Sequence, residues 1–345
     1  MAALRLPPLP TVRDLVKLYR IQAQKHLAQN FLMDENLTNK IIKKAGKLTD
    51  SYVLEVGPGP GGLTRSIMRK QPRKVIVVEK DRRFLPTLQL LSEAFTNAGG
   101  EMDIIIDDIT KINLDLFPEE EKKEWEDEVP RIHLIGNLPF NVSTHLIIEW
   151  LKAISERSGP WALGRAKMTL TFQKEVAERL VASSFAPNRC RLSVMAQAWT
   201  KPQLKFIIPG KAFVPKPDVD VGVVTFTPLI HPQTRHEFHL FEKITRQIFS
   251  FRQKYIIRCL ETLFPEEYKD KLSIMMSKLA DIDPTTRPFQ LTVQEINRLC
   301  TAYKYLCEKH PNIEDYNYRA SKRVLPPRYT HTYVYVYIHK NLSIK

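Results

Sequence analysis

Asn137, Leu138, Pro139 and Phe140 follow directly on the apolar run Ile132-His133-Leu134-Ile135 and Gly136, where a buried strand would reach its carboxyl end. A strand-ending turn accounts for Asn and Pro on backbone grounds alone. The four types also suit a specific chemistry. An exocyclic amine on adenine is a weak nucleophile, because its lone pair is delocalised into the ring. A site that accepts hydrogen bonds from both amine hydrogens favours the pyramidal, reactive geometry. The Asn137 side-chain oxygen and the Leu138 carbonyl supply two acceptors, and Pro139 fixes the direction of the chain. Phe140 offers a ring on which an extruded base can stack.

A second cluster lies upstream. In EVGPGPGG, Gly57, Gly59 and Gly62 fit G-x-G-x-x-G between a strand and a helix, and Glu79 ends the next strand about 20 residues on, where such folds bind a ribose hydroxyl. That pattern indicates an adenosine-containing cofactor, with a purely structural turn as the simpler alternative. A dinucleotide needs backbone N–H groups for its pyrophosphate, and Pro58 and Pro60 have none. Glu55, Glu79 and Asp108 place carboxylates at or near the ends of three strands, a rim that repels phosphate and attracts hydroxyls and positive charge. S-adenosylmethionine carries a ribose, an ammonium and a sulfonium and no phosphate, so the residues favour it over a nicotinamide cofactor.

The elements that must hold these groups alternate in type. Strands are expected at 51–57, 74–81, 102–108, 131–137 and 166–172, with helices at 63–69, 86–95, 144–154 and 173–183 between and after them. This alternation predicts a mostly parallel, doubly wound α/β sheet covered on both faces. The stretches 203–210 and 219–228 read as strands that finish the sheet, joined through the proline-containing FVPKPD. The charged segment 117–130 reads as a solvated insertion. Beyond Pro228, residues 236–264 and 292–310 have a helical period and predict a smaller helical domain.

The 345 residues suffice for two domains, and 43% hydrophobic with 26% charged residues are ordinary globular values. A formal charge of +14 suits a polyanionic partner, although a lysine-rich solvated surface gives the same number. Cys190, Cys259, Cys300 and Cys307 form no CxxC pair and have no histidine at ligand spacing, so no metal is expected. No apolar run approaches the roughly 18 residues of a membrane helix. Near the N-terminus five basic residues oppose the single acid Asp14, and Val12, Leu15, Val16 and Tyr19 share a helical face. Those types suit a mitochondrial presequence and also a helix capped by Thr11 that packs on the body.

The chain resembles the ribosomal RNA adenine dimethyltransferases, and within them a mitochondrial branch. The resemblance rests on KHLAQNFL (25–32), EVGPGPGGLT (55–64), VVEKD (77–81), GNLPFNVST (136–144), TFQKEVAERL (171–180) and AFVPKPDVDVGVV (212–224). It implies a Rossmann-like methyltransferase domain that uses S-adenosylmethionine to dimethylate two adjacent adenines in a hairpin of small-subunit ribosomal RNA, in the mitochondrial matrix. The implied partners are that RNA and an assembling small ribosomal subunit, with the protein a monomer. A non-catalytic nucleic-acid-binding role in mitochondrial transcription is the competing reading.

The resemblance assigns cofactor contacts to Gln29, Asn30, Leu32, Gly57, Gly59, Glu79, Lys80, Asp108, Ile109 and Asn137, and the target adenine to Asn137, Leu138, Pro139 and Phe140. The implied boundaries are a basic N-terminal segment at 1–28, the methyltransferase domain at 29–229, an RNA-binding helical domain at 230–325 and a tail of unassigned role at 326–345. Arg246, Arg252, Lys254 and Arg258 are candidate phosphate contacts, with Lys254 and Arg258 expected on one helical face. The chain departs from the family pattern at Asp107-Asp108, where a glycine often precedes the aspartate, and at Arg252-Gln253-Lys254, which replaces a basic triplet. Which of the two aspartates faces the cofactor stays open.

Overall fold

The protein is described here from a computed structural model, which covers residues 9–19 and 29–318. A short helix α1 (Val12–Leu18) comes first, capped by Thr11, whose hydroxyl accepts from the Asp14 N–H. Its Leu15 is fully buried and Val16 packs on the core, whereas Tyr19, expected on the same face, is exposed. Strand β1 (Phe31–Leu32) and helix α2 (Glu35–Ala45) lead into the main sheet.

That sheet alternates β2 (Tyr52–Val56), α3 (Gly62–Met68), β3 (Lys74–Glu79), α4 (Leu85–Asn97), β4 (Met102–Ile106), β5 (Ile132–Gly136), α5 (Phe140–Glu156), β6 (Lys167–Gln173) and α6 (Lys174–Leu180). Then follow α7 (Arg191–Trp199), β7 (Thr200–Ile208), β8 (Phe213–Val214) and β9 (Val221–Pro228). The order across the seven strands is β4-β3-β2-β5-β6-β9-β7, with β2 to β6 parallel and β9 antiparallel to both of its neighbours.

Period-2 alternation fills both faces, because a strand buried on two sides must be apolar at every position. Val53, Val75 and Val77 pack with α2, α3 and α4 on one side, while Leu54, Val56, Ile76 and Val78 join α5 and α7 on the other. The expected doubly wound sheet is therefore present, completed by the two late strands. Helix α7 has no counterpart among the sequence-derived elements: seven of its residues are buried, so no polar face marks its period. Strands β1 and β8, two residues each, pair antiparallel and are too short to show a pattern.

Two expectations need correction. The charged insertion is not simply solvated, since Trp125 is buried and its Nε1 donates to the carbonyls of Leu229 and Ile230 at 3.0 and 3.1 Å. Arg165 Nε donates to the Trp125 carbonyl at 2.7 Å and fixes the loop from the sheet side. The helical run 236–264 is also broken, into α8 (Phe238–Ile248), a single 3₁₀ turn, and α9 (Ile256–Leu260). Helices α10 (Lys269–Leu279) and α11 (Val293–Lys309) complete the described chain. One continuous apolar cluster runs from the sheet into these helices, through Trp199 against Phe238 and Phe241 at 5.1 and 5.3 Å. Buried Arg189 crosses the same boundary, donating from Nε to the Leu291 carbonyl. The tail reading at 326–345 lies outside the described residues.

Candidate active site

In an open α/β sheet the carboxyl ends of the parallel strands leave a crevice for a ligand. Here that crevice is a cavity of about 410 Å³. Gln29, Asn30, Leu32, Gly57, Gly59, Glu79, Lys80, Asp108, Ile109, Asn137, Leu138, Pro139 and Phe140 all line it. The expected cofactor and target-base residues, drawn from five separate stretches of chain, thus share one chamber. Glu55, Asp107, His145 and Phe213 join them.

The glycine loop is closed on itself. The Gly57 N–H donates to the Val78 carbonyl at 2.9 Å, the Gly59 N–H to Glu79 Oε2 at 2.9 Å, and the Gly61 N–H to the Pro58 carbonyl at 3.0 Å. With Pro58 and Pro60 lacking N–H groups, these donors are already engaged, and a pyrophosphate would find them occupied. Gly61 sits in the left-handed region at φ +85°, and a Cβ there would approach the buried Leu91 Cδ1 to 2.2 Å. Gly61→Ala is therefore expected to destabilise the fold by on the order of 2 kcal/mol. A urea melt reads this as a lowered midpoint, and an unchanged midpoint would contradict it.

The carboxylates divide by environment. Both oxygens of Glu79 accept from backbone N–H groups, of Gly59 and of Asp81 at 2.8 Å, which fixes the carboxylate at the cavity edge; burial nonetheless holds its pKa above the ordinary value. Asp108 accepts from Lys80 Nζ at 2.8 Å and from the Thr110 N–H and hydroxyl, and these bonds lower its pKa to about 2. Lys80 therefore acts as a clamp on Asp108. Asp107 is more exposed and accepts from the Asp108 N–H at 2.6 Å. Both aspartates line the cavity, and Asp108 has the anchored side chain.

Glu55 differs from both. It is completely buried, and burial pushes its pKa up to about 8 against a weaker opposing pull from the Thr64 hydroxyl and N–H, neither of which reaches full hydrogen-bond geometry with a carboxyl oxygen. An orphaned carboxyl in the wall of a cavity fits a ligand that brings a hydrogen-bond donor or a positive charge.

Asn137 is held at both ends of its amide. Nδ2 donates to the Asn30 carbonyl at 3.1 Å, and Oδ1 accepts from the Thr171 hydroxyl at 2.8 Å. One lone pair of Oδ1 remains for a ligand. Thr171, on β6 and fully buried, opens the TFQKEVAERL motif, but nothing in the sequence links it to Asn137, because its neighbour across the sheet end appears only on folding. Pro139 caps α5, with its carbonyl accepting from the Val142 and Ser143 N–H groups, and Phe140 opens the helix four residues earlier than the sequence indicated. The β1–β8 ribbon roofs the chamber. It sets Phe31 against Gly59 and edge-on to Phe84 at 5.5 Å, and brings Phe213 to the cavity wall.

Thr171→Val is expected to lower kcat about 10-fold, the worth of one hydrogen bond that orients a reacting group, with KM for the methyl donor unchanged. Thr171→Ser restores the rate. Equal kcat for Val and wild type would remove Thr171 from this role.

The four basic residues do not gather. Arg246 lies on α8 and pairs with Glu242, while Arg258 lies on α9 and pairs with Glu261 at 3.0 Å. Lys254 is in the turn before α9, so the expected shared helical face does not exist, although both Lys254 and Arg258 line one depression with Phe251 and Tyr316. Arg252 lines a separate hollow with Arg179, Arg191 and Thr144, the last on the helix that begins at Phe140.

A doubly wound sheet with an acidic, phosphate-averse cavity at its carboxyl ends defines a Rossmann-like methyltransferase. The chain belongs to the ribosomal RNA adenine dimethylase family, whose model matches residues 20–301. It is 52% identical over 320 residues to dimethyladenosine transferase 1, mitochondrial, of Homo sapiens, covering 92% of each chain. It is 50% identical over 325 residues to the protein of the same name from Xenopus tropicalis, covering 94% of this chain and 93% of that one. Among solved structures, a dimethyladenosine transferase from Plasmodium falciparum shares the fold at TM-score 0.62 and 22% identity, over 80% of this chain and 98% of the other.

Proposed function

We propose that this protein dimethylates the exocyclic amines of two adjacent adenines in a hairpin of mitochondrial small-subunit ribosomal RNA, in the matrix, with S-adenosylmethionine as donor, and so supports assembly of that subunit. The observation that carries the reading is the amide of Asn137, locked between Thr171 and Asn30 at the mouth of a cavity whose carboxylates suit a cationic, phosphate-free cofactor. The mitochondrial relatives are named for adenosine dimethylation.

In this reading Glu79 receives the ribose hydroxyls, Asp108 the adenine amine and Glu55 the ammonium of the donor, while the N–H-poor glycine loop turns away phosphate. The donor supplies a methyl group on a sulfonium. The target adenine leaves its stack and lies on Phe140. Asn137 Oδ1 and the Leu138 carbonyl accept its two amine hydrogens, which keeps the nitrogen lone pair out of the ring and aimed along the transfer line. The buried walls exclude water, and the released proton passes to solvent. A second cycle on the same nitrogen completes dimethylation.

The RNA is held by residues 230–325 and the adjoining hollow, where Arg252, Arg179 and Arg191 lie beside α5, with Arg246, Lys254 and Arg258 as further phosphate contacts. Residues 29–229 form the methyl-transfer unit, and the protein acts as a monomer. The competing role, nucleic-acid binding in mitochondrial transcription without catalysis, leaves no use for the locked Asn137 or the orphaned Glu55. Mass spectrometry of small-subunit ribosomal RNA from cells lacking the protein tests the choice. Loss of dimethyladenosine is expected, and full retention would overturn the enzymatic reading.

A further inference from the structure

Behind the glycine loop, on the side away from the strand ends, the start of α1, the start of α2 and helix α3 enclose a second cleft of about 500 Å³. Its wall contains Arg65, only 6% exposed, whose Nε and Nη2 are buried without any hydrogen-bond partner. Glu35 attracts this charge but no described residue accepts a hydrogen bond from those two nitrogens, and the neighbouring Arg69 opposes it. A guanidinium does not escape by losing its proton, because its pKa lies far above neutrality, so the charge persists and needs a counter-charge.

Among the described residues the cleft is lined by a single acid. That acid, Glu35, is already paired with Arg69. Asp14, the sole acid between Met1 and Met33, accepts from the N–H and hydroxyl of Thr11 in the α1 cap. Arg13 lines the opposite side, so three guanidinium groups share the cleft with one carboxylate. That surplus is of the size a phosphate group neutralises, and the planar donor fork of arginine matches phosphate oxygens better than it matches a spherical ion.

We propose that this cleft is a phosphate-binding site centred on Arg65, with Arg13 and Arg69 as its rim, distinct from the cofactor cavity. At about 500 Å³ the cleft has room for a phosphate ester together with its sugar, so the group belongs to an RNA backbone or to a free phosphate ester. Leu32 and Gly62 line both chambers, which puts the bound phosphate on the reverse side of the loop that faces the cofactor.

The test is a thermal melt of the full chain in inorganic phosphate against sodium chloride of equal ionic strength. Wild type is expected to gain about 2 to 4 °C in phosphate, saturably, because an anion that binds only the folded state stabilises it by mass action. Arg65→Met, which keeps the stem and removes the charge, is expected to melt higher than wild type in chloride and to lose the phosphate increment. A wild type indifferent to phosphate, or an Arg65→Met protein with the same increment, overturns the site. If Arg65→Met does not fold, Arg13→Gln at the exposed rim serves instead: several-fold weaker phosphate dependence is expected, and undiminished dependence overturns the proposal. A filter-binding arm with hairpin RNA separates the two sources. Phosphate that displaces RNA from wild type beyond the chloride control, and less so from Arg13→Gln, identifies an RNA phosphodiester, whereas stabilisation without displacement identifies a free phosphate ester.

Discussion

Asn137→Ala is expected to lower methyl transfer by about 10³-fold while hairpin RNA binds as tightly as before. Two losses combine in that number. The variant has no side-chain acceptor for the target amine, so one of the two hydrogen bonds that hold the nitrogen pyramidal disappears. It also releases the Asn30 carbonyl, the partner of Nδ2 at 3.1 Å, and with it part of the tie between the GNLPF segment and the strand that roofs the cavity. Neither loss touches the basic residues of 230–325, which is why affinity for RNA stays. A tritiated-methyl assay with purified protein, paired with a binding titration, reads both quantities. Turnover equal to wild type would sink the assignment, and a parallel collapse of RNA affinity would show that Asn137 acts through the fold instead.

The second large effect concerns Glu55 and pH. Burial raises its carboxyl from 4.5 to about 8. The sign follows from that direction. A carboxyl with a raised folded pKa favours the folded state while it is protonated, so this contribution is full below about pH 4.5 and is lost as the pH rises towards 8. The loss is on the order of 3 to 5 kcal/mol when no ligand is bound. Glu55→Gln removes the titration, and the variant is expected to melt above wild type at pH 8 with little difference at pH 5. Binding shows the opposite order. A cationic donor stabilises the ionised carboxylate, so wild-type affinity for S-adenosylmethionine climbs from pH 6 to 8, whereas the glutamine variant binds about 10- to 100-fold more weakly at pH 8 and shows no climb. Calorimetric titrations at three pH values decide it. Flat, equal affinities would mean that Glu55 does not face the donor's ammonium.

Much of this architecture is legible without coordinates, and the reason is periodicity. Val53 to Val56 and Val75 to Val78 are apolar at nearly every position, the mark of a strand covered on two faces, and the glycine loop and Glu79 fall where a nucleoside-binding turn places them. What escaped the sequence has equally physical causes. Helix α7 is buried nearly all round, so no amphipathic stripe announces it. Trp125 sits among acids and lysines that read as solvent-facing, and only its bonds to Leu229 and Ile230 reveal that the insertion is anchored. The 236–264 helix breaks after Ile248 although its apolar spacing continues, because tertiary packing of Ile256, Cys259 and Leu260 sets the direction of α9.

The sequence by itself determined the alternation of strands and helices, the lack of backbone N–H donors at Pro58 and Pro60, and the residue types of the candidate site, since each of these depends on local covalent chemistry and on spacing along the chain. Tertiary structure alone decided that Thr171 orients Asn137 from 34 residues away, that Lys80 holds one edge of Asp108, that the basic residues stand in separate hollows, and that the carboxyl oxygens of Glu55 and two nitrogens of Arg65 are buried without hydrogen-bond partners. Those facts are about which groups meet and which are left unmet, and no one-dimensional pattern encodes a meeting between residues on different strands. GNLPF carries the acceptors, while the folded sheet fixes the direction in which one of them points.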